Sequence, residues 1–320
     1  MTRLEWTPLT EADLPGVQAV AEACLERDGG LPELADQDRL RALFLTDTAI
    51  VGRDALGDIL AATALGWGSG GRRIATGLVH PSVMGQGIGA ELVQWSREQA
   101  AGEPVRVIAE TISPEAEELF AQSGLHLVFS ESVMRHSLRH IPVVRLPDGL
   151  VSLPFTDDTS AAFHHAYQQS FADQPGYEEG AAQAWGAWLR QQEGFRPEDS
   201  RVLVDTTGHV AGFVTLSDHW IEEVGVVPAW RGHKLGAHLV ARSLTVFAKR
   251  GDSAAWLCVG SRNPARSLYE RLGFRYHGSR GLYDEVPAAG PTPLALPESV
   301  RQDGGEPAGT AAEPHATPQD

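Results

Sequence analysis

One stretch of this chain is written twice. VHPSVMGQGIGAELV, with Pro81, returns in outline as VVPAWRGHKLGAHLV, with Pro228, 147 positions later, and LFAQSGL returns as LYERLGF, Gly124 and Gly273 being 149 positions apart. Solenoid repeats have periods of roughly 20 to 50 residues, so a period this long means a duplicated domain rather than an array. The 320 residues accommodate two units at roughly 100 to 200 residues each.

Both halves read in the same order. The first predicts a strand at RLEWTPL, helices over Asp13 to Arg27 and Gln37 to Phe44, and strands at TAIVGR, DILAATALGW and RRIATGLVH. A glycine-rich turn then opens a helix to about Gln99, followed by strand PVRVIAE, helix PEAEELFAQS and two strands, LHLVFS and SVMRHSL. The second half repeats this with strand LVSLPF, helices Ala161 to Gln169 and Glu179 to Gln192, strands RVLVDT, HVAGFVTLS and WIEEVGVV, and a long helix from His233 to about Lys249. Strand AAWLCV, helix Pro264 to Leu272 and two closing strands, FRYHGS and RGLYDEV, complete it. Runs of period two bounded by Gly and Asp indicate hairpins. RHIPVVRLPDG, rich in Pro and Gly, reads as a linker. The boundaries are therefore residues 1–140 and 141–286, with 287–320 too poor in large apolar residues to order and expected to be a disordered tail.

A formal charge of -16, from 42 acidic against 26 basic side chains, removes the driving force for binding a phosphate backbone, and nucleic acid is not an expected partner. Cys24 and Cys258 lie far apart and outside any metal-ligand spacing, so no metal site and no disulfide framework are expected. His164 and His165 are adjacent and point apart on a helix, which is no metal pair either. No run reaches the roughly 18 apolar residues of a membrane span and the amino terminus lacks a signal-peptide core, so the expectation is a cytoplasmic protein, monomer or homodimer, without a membrane partner.

A strand ending in Val-x-Pro that turns through glycines into a helix presents unpaired backbone amides at the positive end of the helix dipole, a geometry that binds phosphate. GQGIGA, from Gly85 to Ala90, also satisfies a dinucleotide fingerprint, with Glu110 at the distance of a ribose contact. Three strand-like runs precede the turn, however, and the sister copy RGHKLGA lacks the pattern.

What the copies share resembles motif A of the GNAT superfamily of N-acetyltransferases, read as Val79, Pro81, Met84, Gly85, Gly87, Gly89 and as Val226, Pro228, Arg231, Gly232, Lys234, Gly236. Asn263 through Tyr269 to Gly273-Phe274 resembles motif B. The two-copy layout and the segment AYQQSFADQP look similar to mycothiol-synthase-like tandem acetyltransferases. The resemblance implies an α/β (α+β) fold of two tandem domains, each a mixed, mostly antiparallel twisted sheet flanked by helices. It also implies acetyl-CoA as co-substrate and a small amine or amino-acid-like acceptor, acetylated by direct transfer in a ternary complex.

Site residues follow from the same resemblance. Arg231, Gly232, His233, Lys234, Leu235 and Gly236 would cradle the diphosphate, Asn263 would contact the pantetheine arm, and the Tyr269 hydroxyl would protonate the departing thiolate. Amides at Val224 to Val226 would polarise the thioester carbonyl where the strand splays, an irregularity for which Gly225 is suited. In the first copy Val79, Gly85, Gly87 and Gly89 keep a cofactor-shaped cradle, but Phe120 and Pro114 align with Tyr269 and Asn263, so that copy is expected to be degenerate.

An alkylammonium with a pKa near about 10 needs a proton acceptor before it can attack. Glu222 and Glu223, leading into the second Val-x-Pro turn, are the candidates. Neighbours on a strand face opposite ways, so one of them faces the cleft, with Asp218 and His219 as substitutes. Trp185 and Trp188 are expected in the core, on one face of their helix. The other reading left open is a non-catalytic acyl-CoA-binding or sensor protein.

Overall fold

The computed structural model describes residues 2–68, 72–172 and 182–285. The expected tail 287–320 lies outside the described residues, as do the start of the expected helix at Glu179 and the end of AYQQSFADQP. In chain order the first half forms β1 (Glu5–Pro8), α1 (Leu14–Asp28), α2 (Gln37–Phe44), β2 (Thr48–Arg53), β3 (Ile59–Trp67), β4 (Arg73–Val79), α3 (Ile88–Gln99), β5 (Val105–Ala109), α4 (Pro114–Gln122) and β6 (His126–His136). The second forms β7 (Leu150–Pro154), α5 (Asp157–Phe171), α6 (Ala182–Gln191), β8 (Arg201–Asp205), β9 (Val210–Ser217), β10 (Trp220–Val226), α7 (Leu235–Arg250), β11 (Ala255–Gly260), α8 (Arg266–Arg271) and β12 (Arg275–Asp284).

Helices cover both faces of the sheet, which explains the nearly continuous apolar strands. In β3, Ala62 and Ala64 pack under α1 and α2 while Leu65 joins the core beneath α3 and α4. In the second half α7 and α8 close over Leu239, Val240, Leu244, Leu257 and Phe274, and α5 and α6 close the opposite face over Phe163, Phe213 and Val202. Trp185 and Trp188 pack on that second core as expected. Tyr167 bridges to them, its ring 5.5 Å from that of Trp185.

The twelve strands form one sheet in the order β1-β2-β3-β4-β5-β12-β6-β11-β10-β9-β8-β7. Only β4 with β5 and β10 with β11 run parallel; every other neighbouring pair is antiparallel. The copies have thus exchanged their last strands. β12 lies between β5 and β6, and β6 pairs on its other edge with β11. Each was read from sequence as two strands, and each is one. Gly278, at φ 111°, and the serine beside it mark a slip of register between Tyr276 and Ser279, where a turn was expected.

A buried ionic cluster rivets the exchange. Arg280 of β12 is 1% exposed, its Nε lies 2.7 Å from Glu110 Oε2 and its Nη1 3.8 Å from Glu131 of β6. Arg39 of α2 pairs with the other Glu110 oxygen. Between the copies, 138–149 forms no helix or strand, and the His238 ring of α7 fastens it at 2.8 Å from the Val144 carbonyl.

Candidate active site

Each glycine turn stands where a strand gives way to a helix. β4 passes through a short 3-10 turn (Pro81–Val83) into α3, with Gly85 and Gly87 at φ 74° and 88°. β10 passes through Pro228–Trp230 into α7, with Gly232 at φ 84°. At the position of Gly87 the second copy places Lys234, also left-handed at φ 62° and ψ 17°. That conformation costs a non-glycine residue roughly 1 to 2 kcal/mol, so the backbone path is kept although the residue changed. A side chain built on Gly85, Gly87 or Gly232 would meet nothing within 4 Å, which leaves the amides of the turn open to a ligand. Gly89 packs closely against the following helix, and Gly236 stands at ordinary contact distance from its own. A Cβ on Gly89 would lie 2.7 Å from Leu119 of α4, and one on Gly236 3.4 Å from Leu268 of α8.

Beside each turn the two parallel strands part. β10 and β11 pair only at Trp220 opposite Trp256, and β4 and β5 only over Arg73–Ala75 opposite Val105–Val107. Val224 and Val226 therefore pair with β9 along one edge and face the opening along the other. The irregularity in β10 falls at Glu222, between Ile221 and Glu223, and not at Gly225, which pairs regularly with Phe213. Gly225 is glycine because a Cβ there would come within 2.5 Å of the Phe213 ring and 2.6 Å of Ser170.

The slip at Glu222 breaks the alternation used to separate Glu222 from Glu223, and both are half-buried. Ser217 donates to Glu222. Asp218 and His219 belong to the turn before β10 rather than to the strand. Asp218 has φ 30°, and its carbonyl accepts from Arg250 at 2.6 Å.

Tyr269 is 7% exposed in α8, packed with Leu272 and Phe274, its ring centroid 6.1 Å from that of Phe274. Burial pushes its phenol up to about 12, so it remains protonated across neutral pH and can act only as a donor of its proton. The Asn263 side chain accepts from the Ala265 N–H at 2.9 Å and so caps the turn into α8. Arg231 donates to Val226 O at 3.3 Å and Ser170 O at 3.0 Å, stitching the turn to the end of α5. His233 and Lys234 are exposed at the lip of the turn, and Leu235 is buried beneath it.

The first copy has a similar backbone and the opposite charge. A cavity of about 460 Å³ lies between β4 and β5, lined by Val79, Gly85, Gly87 and Gly89, and its rim carries Asp28, Glu115 and Glu118. Arg27 ties Glu115 across the mouth at 2.5 Å and also reaches Met84. Where the second turn has Arg231, His233 and Lys234, the first has Met84, Gln86 and Gly87. Where α8 has Arg266, α4 has Glu117. Phe120, at the Tyr269 position, carries no hydroxyl and packs at a tilt against Tyr283, delivered by the exchanged strand, at 4.5 Å between ring centroids.

The dinucleotide reading does not survive this geometry. The strand before the first turn is antiparallel to its predecessor, and Glu110 is buried between Arg39 and Arg280. Among the described residues no helix is long and apolar enough to cross a membrane.

Comparison with known proteins agrees with the fold. Residues 160–274 match the acetyltransferase (GNAT) family. The chain is 30% identical over 302 residues to a mycothiol acetyltransferase of Thermomonospora curvata, covering 87% of this chain and 96% of that protein. It is 29% identical to the mycothiol acetyltransferase of Thermobifida fusca, with the same two coverages. Among solved structures, a GCN5-related N-acetyltransferase from Sphaerobacter thermophilus superposes with a TM-score of 0.73 at 24% identity, over 91% of this chain and 98% of that one. A tandem GNAT protein from the clavulanic acid biosynthesis pathway gives 0.60 at 19%, over 89% and 99%. This chain belongs to the GNAT family of acetyltransferases, and over most of its length it is similar to mycothiol acetyltransferases.

Proposed function

We propose that the second copy transfers the acetyl group of acetyl-CoA directly to a small primary amine, and that the first copy does not. The observation that carries this is the charge of the two turns. Both offer backbone amides at a helix start, but a diphosphate also needs cations nearby. The second turn supplies the exposed Lys234 ammonium, with the His233 ring beside it as a hydrogen-bonding group, while the first is rimmed by carboxylates that repel it. The cup around Gly232 is open enough to admit the diphosphate. Acetyl-CoA, when bound, supplies the activated acyl group.

The protein's own part in the reaction follows from the residues around the parted strands. Val224 and Val226 turn an unpaired strand edge to the opening, where main-chain N–H groups lower the energy of a developing oxyanion. Tyr269, held protonated by its burial, donates to the departing sulfur. Glu222 and Glu223 border the same opening as carboxylates able to take the ammonium proton. The relatives named mycothiol acetyltransferases put mycothiol-related amines first among acceptors to assay.

Calorimetry with acetyl-CoA tests the assignment. One site per chain is expected. Gly232→Val, which forces a β-branched residue into a left-handed position and fills the cup, should abolish binding, and Gly85→Val should leave it intact. Two sites per chain, or the reverse response of the variants, would refute the division of labour. Non-catalytic binding would show as heat of binding without CoA release across a panel of amines.

A further inference from the structure

The first copy sets a carboxylate against the start of β10 in the second copy. Glu33 sits on a 3-10 turn (Pro32–Ala35) between α1 and α2. Its Oε1 accepts from the Trp220 indole Nε1 at 2.5 Å and lies 3.8 Å from His219 Nε2. Trp220 is the residue at which β10 and β11 are last paired before they part, so Glu33 stands at the root of the cleft. Its other oxygen, Oε2, is enclosed and accepts no hydrogen bond among the described residues. A carboxylate oxygen in that state is costly unless something cationic satisfies it.

The turn that carries Glu33 is held rigidly. Gly30 donates to His277 O at 2.7 Å and Leu31 to Glu110 O at 2.8 Å, while Leu34 is buried in the first copy's core. Gly29, Gly30 and Gly278 pass backbone to backbone: a Cβ on Gly278 would lie 2.2 Å from the Gly30 nitrogen. The exchanged strand β12 therefore fixes Glu33 against β10, and Trp256, beside Trp220 at 5.9 Å between ring centroids, leans on His277 of that strand.

We propose that Glu33, contributed by the otherwise non-catalytic first copy, is the carboxylate that binds the acceptor's ammonium and takes its proton in the second copy's active site. The inference rests on the acetyl-transfer reading above and adds the residue that reading leaves divided between Glu222 and Glu223. Burial, with Asp36 on its own turn and Glu222 on β10 adding negative charge, pushes the Glu33 carboxyl up to about 7 against hydrogen bonds from its own backbone and from Trp220. The His219 ring, in the turn before β10, faces it with Nε2 3.8 Å from Oε1. A carboxylate of that basicity is poised to accept a proton at neutral pH. In the step, Glu33 takes one proton from the ammonium, which frees the nitrogen lone pair. The C–N bond forms as the C–S bond breaks, the electron pair passing to sulfur. Tyr269 gives sulfur its proton and recovers one from the acylated nitrogen.

Two measurements test this on the full-length chain. With the fastest amine of a primary-amine panel, kcat/KM of the wild type should rise with pH through a limb near 7. Glu33→Gln should lose at least 30-fold in kcat/KM together with that limb, acetyl-CoA affinity being unchanged, and Glu33→Asp should restore part of both. Glu222→Gln should keep the limb. Independently of turnover, the Trp220 indole ¹H–¹⁵N resonance, assigned with Trp220→Phe, should titrate near pH 7 and shift on addition of propylammonium, and do neither in Glu33→Gln. Superposable pH profiles of wild type and Glu33→Gln, or an indole resonance indifferent to propylammonium, would overturn the role of Glu33. A wild type that transfers to no amine while the indole responds would instead overturn the transferase reading beneath it.

Discussion

Arg280 and Glu110 form a buried ion pair at 2.7 Å that joins the last strand of the second copy to the end of β5 in the first. Burial opposes the Glu110 charge, but Arg280 and then Arg39 outweigh it and hold the carboxyl below its ordinary range. Removing one partner of such a pair strands the other charge and costs roughly 3 to 5 kcal/mol. Arg280→Met should therefore lower the unfolding free energy, read from urea titration at pH 7, by that amount. A depressed carboxyl stabilises the fold above its unfolded value of about 4.3 and loses that contribution as pH falls through the lower folded value. The gap between wild type and variant should accordingly narrow in unfolding curves below about pH 4.

Tyr269→Phe should reduce kcat by roughly 10² to 10⁴, the range of a lost general acid, and leave acetyl-CoA affinity within about twofold. With the phenol raised to about 12, the wild-type rate should show no descending limb from this group below pH 10. Steady-state kinetics with CoA-release detection and calorimetry on the same preparations check both statements. Equal turnover in the variant would return Tyr269 to a packing role beside Leu272.

Lys234 combines an unfavourable backbone with a favourable charge. Lys234→Gly should stabilise the fold by about 1 kcal/mol, the left-handed penalty relieved. The same substitution should weaken acetyl-CoA binding about tenfold through loss of a charge-assisted contact to the diphosphate. Thermal unfolding without ligand and calorimetry with it should move in opposite directions. A variant that is both more stable and equally tight would leave the amides alone as the phosphate ligand.

Gly278→Ala meets backbone rather than a yielding side chain, at φ 111° and 2.2 Å from the Gly30 nitrogen. It should cost about 2 to 3 kcal/mol. Because the displaced atoms carry the Glu33 turn, kcat/KM for the amine should fall in the fraction that still folds, with acetyl-CoA affinity preserved. Urea titration and the transfer assay on one preparation separate the two effects.

Much of this was legible in the residues. Pro81 with Gly85 and Pro228 with Gly232 announce their turns, because positive φ and an open cup leave few alternatives to glycine. Phe120 against Tyr269, and Met84 against Arg231, expose the divergence of the copies. The partner of β12 was not legible, since a strand's local pattern is the same whichever edge it joins. Each closing segment reads as two strands, and the slipped register beside Gly278 joins the second pair into one. The bulge at Glu222 carries no glycine to betray it, and the contact from Glu33 to Trp220 spans 187 positions, beyond the reach of any period. Lys234 shows the limit from the other side: a residue that disfavours left-handed backbone adopts it where the duplicate has glycine.

The strand exchange also bears on how such a chain can change. A gene cut near codon 141 would yield two polypeptides, each ending in a strand whose hydrogen-bonding edges and ionic partners reside on its counterpart. Neither product could mature unaided, and the pair would survive only as an obligate heterodimer. A module that had lost its own chemistry would thus be retained as scaffolding, since deleting it would unravel the half that remains.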